Sequence, residues 1–162
     1  MAVLFTLIVG RPWSEPVPTE VRLGLKVPQV EYAVAQRLNQ VAGEGQPVLA
    51  PETVSAWVPT FRRHAYPLVA RRHYTEGILA VFGGRIDRAD IQDRLVLHDL
   101  ISGDTDSPES YALLERWLAE NRITAVALTK NHREFGRLST AIQEAGFTSS
   151  KYLGYVIFYK PG

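Results

Sequence analysis

The chain has no cysteine. That excludes disulfide staples, thiolate nucleophiles and cysteine-based zinc sites, and it fits a reducing compartment. Net charge is almost absent too: 18 Lys and Arg against 17 Asp and Glu leave +1. Such a balance exerts no overall pull on nucleic acid or acidic lipid. The apolar N-terminal stretch "MAVLFTLIVG" is far shorter than the ~20 residues that span a bilayer. It also lacks the basic flank and small-x-small cleavage site of a signal peptide, so a buried strand is expected there. No Walker loop, Rossmann fingerprint or Ser-His-Asp order occurs. His64, His73, His98 and His132 show no metal-ligand spacing, so no metal site is expected. "DTDSPE" lacks the following glycine and distal glutamate of a calcium loop.

What remains is a globular composition: 162 residues, 46% hydrophobic and 22% charged. This size and balance suit one domain, residues 1–162, with a real core. No repeat, low-complexity tract or linker interrupts it.

The apolar patterning orders the elements. "AVLFTLIV" reads as a strand, stopped by Gly10 and Pro12. "RPWSEPVPTE" is a loop, and "VRLGLKV" a second short strand. From Pro28 to Gly43 a helix is expected, with Val30, Val34, Leu38 and Val41 on one face. "EGQPVLAP" reads as a loop. "ETVSAWVPTFRRHAYPLVARRHYT" reads as helix in pieces, broken at Pro59 and Pro67. "GILAVFGGRI" and "RLVLHDLI" read as two strands of an antiparallel hairpin. A helix then begins at Ser107, a preferred N-cap residue, with Pro108 at the first helical position, where its missing donor costs nothing. "TAVALT" is a strand. "HREFGRLSTAIQEAG" is a helix that Gly146 ends in a left-handed cap, with Phe147 packing back. "KYLGYVIFYK" reads as one long final strand, whose edge is open to a partner. The expected class is α/β in the mixed α+β sense, a central mixed sheet flanked by helices.

From Gly77 onward this order resembles the GNAT N-acetyltransferase superfamily. The pieces that carry the likeness are the expected hairpin, "SPESYALLERWLAEN", "TAVALTKN" with Asn131 after the strand, and "AIQEAGF" ending in Gly146-Phe147. The resemblance implies acetyl-CoA or another acyl-CoA as cofactor. It places the site where "RLVLHDLI" and "TAVALT" splay apart. Leu100 and Ile101 backbone groups would hold the acyl carbonyl and pantetheine arm, and Asn131 would touch the cofactor. His98 or Asp99 would be the catalytic base.

Two residue patterns depart from the family. Its pyrophosphate loop offers glycines and bare N–H groups at a helix N-terminus. In "SGDTDSPES" only Gly103 matches, Pro108 removes a donor, and Asp104 and Asp106 bring negative charge. A carboxylate ~4 Å from a phosphate costs about 1 kcal/mol in water and about 4 at an effective dielectric of 20. A capping turn that complements the helix dipole explains both aspartates. The tyrosine that many members place four residues before the Gly of Gly-Phe is Ile142 here, which donates no proton.

Two basic clusters, Arg62-Arg63-His64 and Arg71-Arg72-His73, lie among aromatics. On one continuous helix that spacing is about 180°, so a single nucleic-acid stripe is not expected. Two functions stay open: an acyl-CoA-dependent N-acyltransferase with an unorthodox site, or an inactive GNAT-fold interaction or assembly protein, such as a phage virion or accessory component. An acceptor substrate, a protein partner or a second copy of the chain are the partners these readings admit. They place the protein in the cytoplasm, or on a virion, and not in a membrane.

Overall fold

The structure, a computed structural model, describes residues 28–82 and 87–161. The strands expected at "AVLFTLIV" and "VRLGLKV" lie outside the described residues. The class is the expected one: among the described residues, helices surround a mixed five-stranded sheet.

Helix α1 spans Gln29–Ala42, as its apolar spacing predicts. Val34 and Leu38 are buried on its inner face, whereas Val30 at the first turn is exposed. Strand β1 is Pro47–Leu49, within the stretch read as a loop. Three residues between Gly45 and Pro51 are too few to show a strand period. The next segment is broken as expected: a short helix α2, Glu52–Ser55, and a 3-10 turn at Val58–Thr60 that contains Pro59. Pro67 then lies in the edge strand β2, Tyr66–Pro67, a position where its missing N–H is tolerated.

The expected hairpin is replaced by two helices. Helix α3 runs Arg72–Phe82 and helix α4 runs Arg88–Ser102. Asp87 caps α4 through its side chain, accepting from Ala89 and Asp90 N–H. The polar turn "RADIQD" supplies the first helical turns, and the buried residues Leu97, Leu100 and Ile101 recur at helical spacing.

Helix α5, Pro108–Ala119, starts as predicted, with Ser107 Oγ accepting from Ser110 N–H. Strand β3 is Ala125–Thr129. Helix α6, Phe135–Glu144, begins three residues after His132. The last apolar run is a hairpin, not one strand: β4 is Thr148–Tyr152 and β5 is Tyr155–Tyr159. Leu153 and Gly154 turn it with φ of 48° and 85°, the positive values that a two-residue hairpin of matching twist requires.

The strand order is β2-β1-β3-β5-β4. β1 is parallel to both β2 and β3, while β5 is antiparallel to β3 and β4. Alternation in β3 divides the core. Ala125 and Ala127, with Ile157, face Val34, Ala35 and Leu38 of α1. Val126 and Leu128, with Val156 and Phe158, face Leu100, Leu114, Trp117 and Ile142 of α4, α5 and α6. The result is a three-layer arrangement with helices on both faces of the sheet.

Three helices close by one device. Asp104 N–H reaches Asp99 O and Gly103 N–H reaches Leu100 O at the end of α4. Arg122 to Trp117 with Asn121 to Leu118 repeats it on α5, and Phe147 to Ile142 with Gly146 to Gln143 on α6. These are Schellman closures, whose turning residue is left-handed. Gly103, Asn121 and Gly146 have φ of 86°, 57° and 87°. Phe147, buried beside Ile142, is the apolar residue expected to pack back.

Among the described residues Leu153 is the least suited to its backbone, because a Cβ in the left-handed region costs roughly 1 kcal/mol. It is also 52% exposed and gives little burial in return. Leu153→Asn should stabilise the protein by about 0.5–1 kcal/mol. Urea unfolding checks this, with an unchanged slope and a higher midpoint as the expected result.

Candidate functional site

The C-terminal ends of β1, β2 and β3 point the same way, because the three strands are parallel. The chain leaves β1 toward β2 on one side, and β3 lies on the other. Such a reversal opens a crevice at the strand ends, the usual ligand position in open α/β sheets. Glu52 follows β1, Arg72 follows β2, and Lys130, Asn131 and His132 follow β3.

Helix α4 brings His98 and Asp99 to this edge. Because they lie on a helix and not a strand, they do not face opposite ways. His98 Nδ1 is 3.5 Å from Asp99 Oδ1, and His98 Nε2 is 3.9 Å from Glu52 Oε2. Arg72 joins both carboxylates. Its backbone N–H donates to Glu52 Oε2 at 3.2 Å, and its guanidinium pairs with Asp99 and with Glu76. The sequence did not single out Glu52, and it showed Arg72 only within the Arg71-Arg72-His73 basic cluster. They are joined to His98 and Asp99 only by the fold.

The His98 side chain is 3% exposed, and its Nε2 has no hydrogen-bond partner among the described residues. Burial pushes its pKa below the ordinary histidine value. Glu52 and Asp104 pull upward, Arg72 adds to the depression, and burial wins. The ring is therefore neutral at pH 7. The two carboxylates open onto different hollows. Asp99 lines a groove of about 740 Å³ between α4 and α5, with Asp93, Val96, Thr105 and Glu109. Glu52 lines one of about 370 Å³ with Glu31, Thr53, Trp57 and Arg71. His98 sits between them, touching neither hollow's rim directly.

The remaining predicted positions are placed differently. Leu100 and Ile101 are core residues of α4, fully buried, and not the strand at a splayed pair. Strand β3 has β1 and β5 as neighbours. Gly103 turns the chain out of α4, and a Cβ on it would meet His132 Nε2 at 3.5 Å. The N–H groups of Gly103 and Asp104 are engaged in closing α4, and Ser107 caps α5. "SGDTDSPES" is thus two helix caps back to back. Asn131 is exposed beyond β3. His132, by contrast, is buried. Its Nε2 donates to Leu100 O at 3.0 Å and its Nδ1 accepts from Glu134 N–H. It ties the β3–α6 loop to the end of α4.

Tyr111 is buried in the core, where burial pushes its phenol pKa up. Tyr152 and Tyr155 flank the hairpin turn. None of the three is a partner of His98 or Asp99. Arg62 and Arg63 lie in the turn before β2, and Arg71 and Arg72 lead into α3, so the basic residues sit on two separate segments. Among the described residues, no group of three potential ligands is placed to hold a metal ion. Nor is any described helix long and apolar enough to cross a membrane.

The His98 shift has a stability consequence. A histidine whose folded pKa is depressed favours the neutral form in the fold. Its contribution is complete above the unfolded value of about 6.5 and is lost as pH falls from there through the folded value. Unfolding free energy measured by urea at pH 7.5, 6.5 and 5.5 should fall for the wild type. In His98→Gln the fall should be smaller, and equal slopes would remove His98 as its cause.

The sequence matches no protein-family model, and no curated protein or solved structure is detectably similar to the chain.

Proposed function

We propose that the chain is an interaction domain that self-associates through α3. The carrying observation is the outer face of that helix. Tyr74, Ile78 and Val81 are 59%, 45% and 73% exposed, at the i, i+4, i+7 spacing of one helical stripe. Exposed apolar contact surface of this kind marks an interface. Gly77 lies in the same stripe. Among the described residues a Cβ there would meet nothing within 4 Å, so no described contact demands a glycine that costs about 1 kcal/mol of helix stability relative to alanine.

A second copy supplies the reason. In an antiparallel α3 pair about a two-fold axis, Tyr74 faces the second copy's Val81, and Ile78 faces the gap over the second copy's Gly77. The same patch then serves both subunits, as an isologous contact requires. Sedimentation equilibrium over about 1–200 μM should give a mass approaching twice 18.1 kDa. Val81→Glu should return it to one. Gly77→Ala should raise monomer stability by about 1 kcal/mol while weakening association. A wild type that stays monomeric at the highest concentration would sink the reading.

A second reading keeps the acyl-CoA-dependent N-acyltransferase of GNAT type. It is favoured by His98, a buried neutral imidazole beside Asp99, which is the protonation state a general base needs. Calorimetric titration with acetyl-CoA tests it. Micromolar binding, with acetyl transfer lost in His98→Gln, supports catalysis. No heat at millimolar acetyl-CoA removes it.

A further inference from the structure

The clasp on α3 and the surroundings of His98 use the same two oxygen atoms. Glu52 Oε2 accepts the backbone N–H of Arg72 at 3.2 Å, and it is also the atom 3.9 Å from His98 Nε2. Asp99 Oδ1 pairs with the Arg72 guanidinium, and it is also the atom 3.5 Å from His98 Nδ1. Arg72 is the first residue of α3. We propose that this junction is a pH-operated clasp, in which protonated His98 takes Glu52 and Asp99 away from Arg72 and releases the first turns of α3.

The competition follows from donor counts. A neutral imidazole has one N–H, and a protonated one has two and no acceptor. Within its buried slot, the described acceptors near the ring nitrogens are those two carboxylates. A buried cation without partners is costly, so the ring draws both. Arg72 has an alternative. Its side chain is 40% exposed and already bonds Glu76 at 2.8 Å on its own helix. Arg72 therefore leaves with α3, and the new charge on His98 repels it.

The other charged groups around the ring do not reverse this. Asp104, in the loop after α4, favours the protonated ring, as Glu52 does. Glu31 and Arg71 line the hollow beside Glu52 and are of opposite sign. His132, on the loop after β3, has both ring nitrogens engaged and holds Leu100 instead. Because α3 carries the exposed Tyr74, Ile78 and Val81, the clasp would regulate the docking surface. That consequence rests on the self-association reading, but the clasp does not.

Amide hydrogen exchange on the full chain at 1 μM tests the clasp with docking removed by dilution. After correction for intrinsic rates, protection over residues 73–78 should fall about tenfold between pH 7.5 and pH 5.5 in the wild type. It should hold in His98→Gln. Unchanged protection in the wild type, or the same fall in the variant, overturns the proposal. Should the variant not fold, an NMR titration of the wild type decides. The His98 ring and the α3 amides must then share one midpoint below about pH 6.5, and separate midpoints refute the coupling. Sedimentation at both pH values reports on docking separately.

Discussion

Strand β3 is buried on both faces, and the rest of the architecture answers that condition. Ala125 to Leu128 have no exposed surface. A strand that is apolar on both sides needs helices above and below it. The two faces are not alike. Ala125 and Ala127 turn their small side chains to α1, and Val126 and Leu128 meet the larger residues of α4, α5 and α6. The helices on that larger side include α4, and α4 carries His98. The position of the polar junction is therefore set by how the sheet is covered.

The legible parts of the fold were those with a chemical punctuation mark. Ser107-Pro108 opened α5, Gly146-Phe147 closed α6, and the all-apolar "AVAL" marked β3. The runs "GILAVF" and "RLVLHDLI" carried no such mark at their starts and read as strands. A short apolar run suits a buried strand and a buried helix equally. The distinguishing signals lay outside the runs, in the polar residues just before them. Asp87 caps α4, and Asp90 pairs with Arg94 one turn on at 2.7 Å. The hairpin was hidden for the opposite reason, because its turn uses leucine where asparagine or glycine is usual.

Half of the polar junction could be read from the sequence. His98 and Asp99 stood out as neighbours at the end of an apolar run. Glu52 did not, and Arg72 stood out only as part of the Arg71-Arg72-His73 basic cluster, which says nothing of a carboxylate partner. Arg72 and Asp99 are 27 positions apart and meet only when α3 packs on α4. Charge pairing across helices leaves no period in the sequence. Leu100 and Ile101 read as strand residues but lie in α4, with Leu100 O bonded to Gly103 N–H and His132 Nε2, and the N–H groups of Gly103 and Asp104 close that helix.

The connections differ greatly in how much chain they enclose, and this orders assembly. Helices α4 and α5 are joined by five residues, Gly103 to Ser107, locked by a cap at each end. They are neighbours in sequence and in space, so their packing closes almost no loop. The β1–β3 pairing is the reverse. It joins Val48 to Ala125, and the Thr124 hydroxyl reaches Pro47 O across 77 positions. Only three residues of β1 repay that closure. Contacts of such separation form late and slow the search. Loop-closure cost alone therefore favours early packing of α4 on α5 over the β1–β3 pairing. The strand whose end presents Glu52 is held by that costly pairing, so the His98 junction depends on a contact made across 77 positions of the chain.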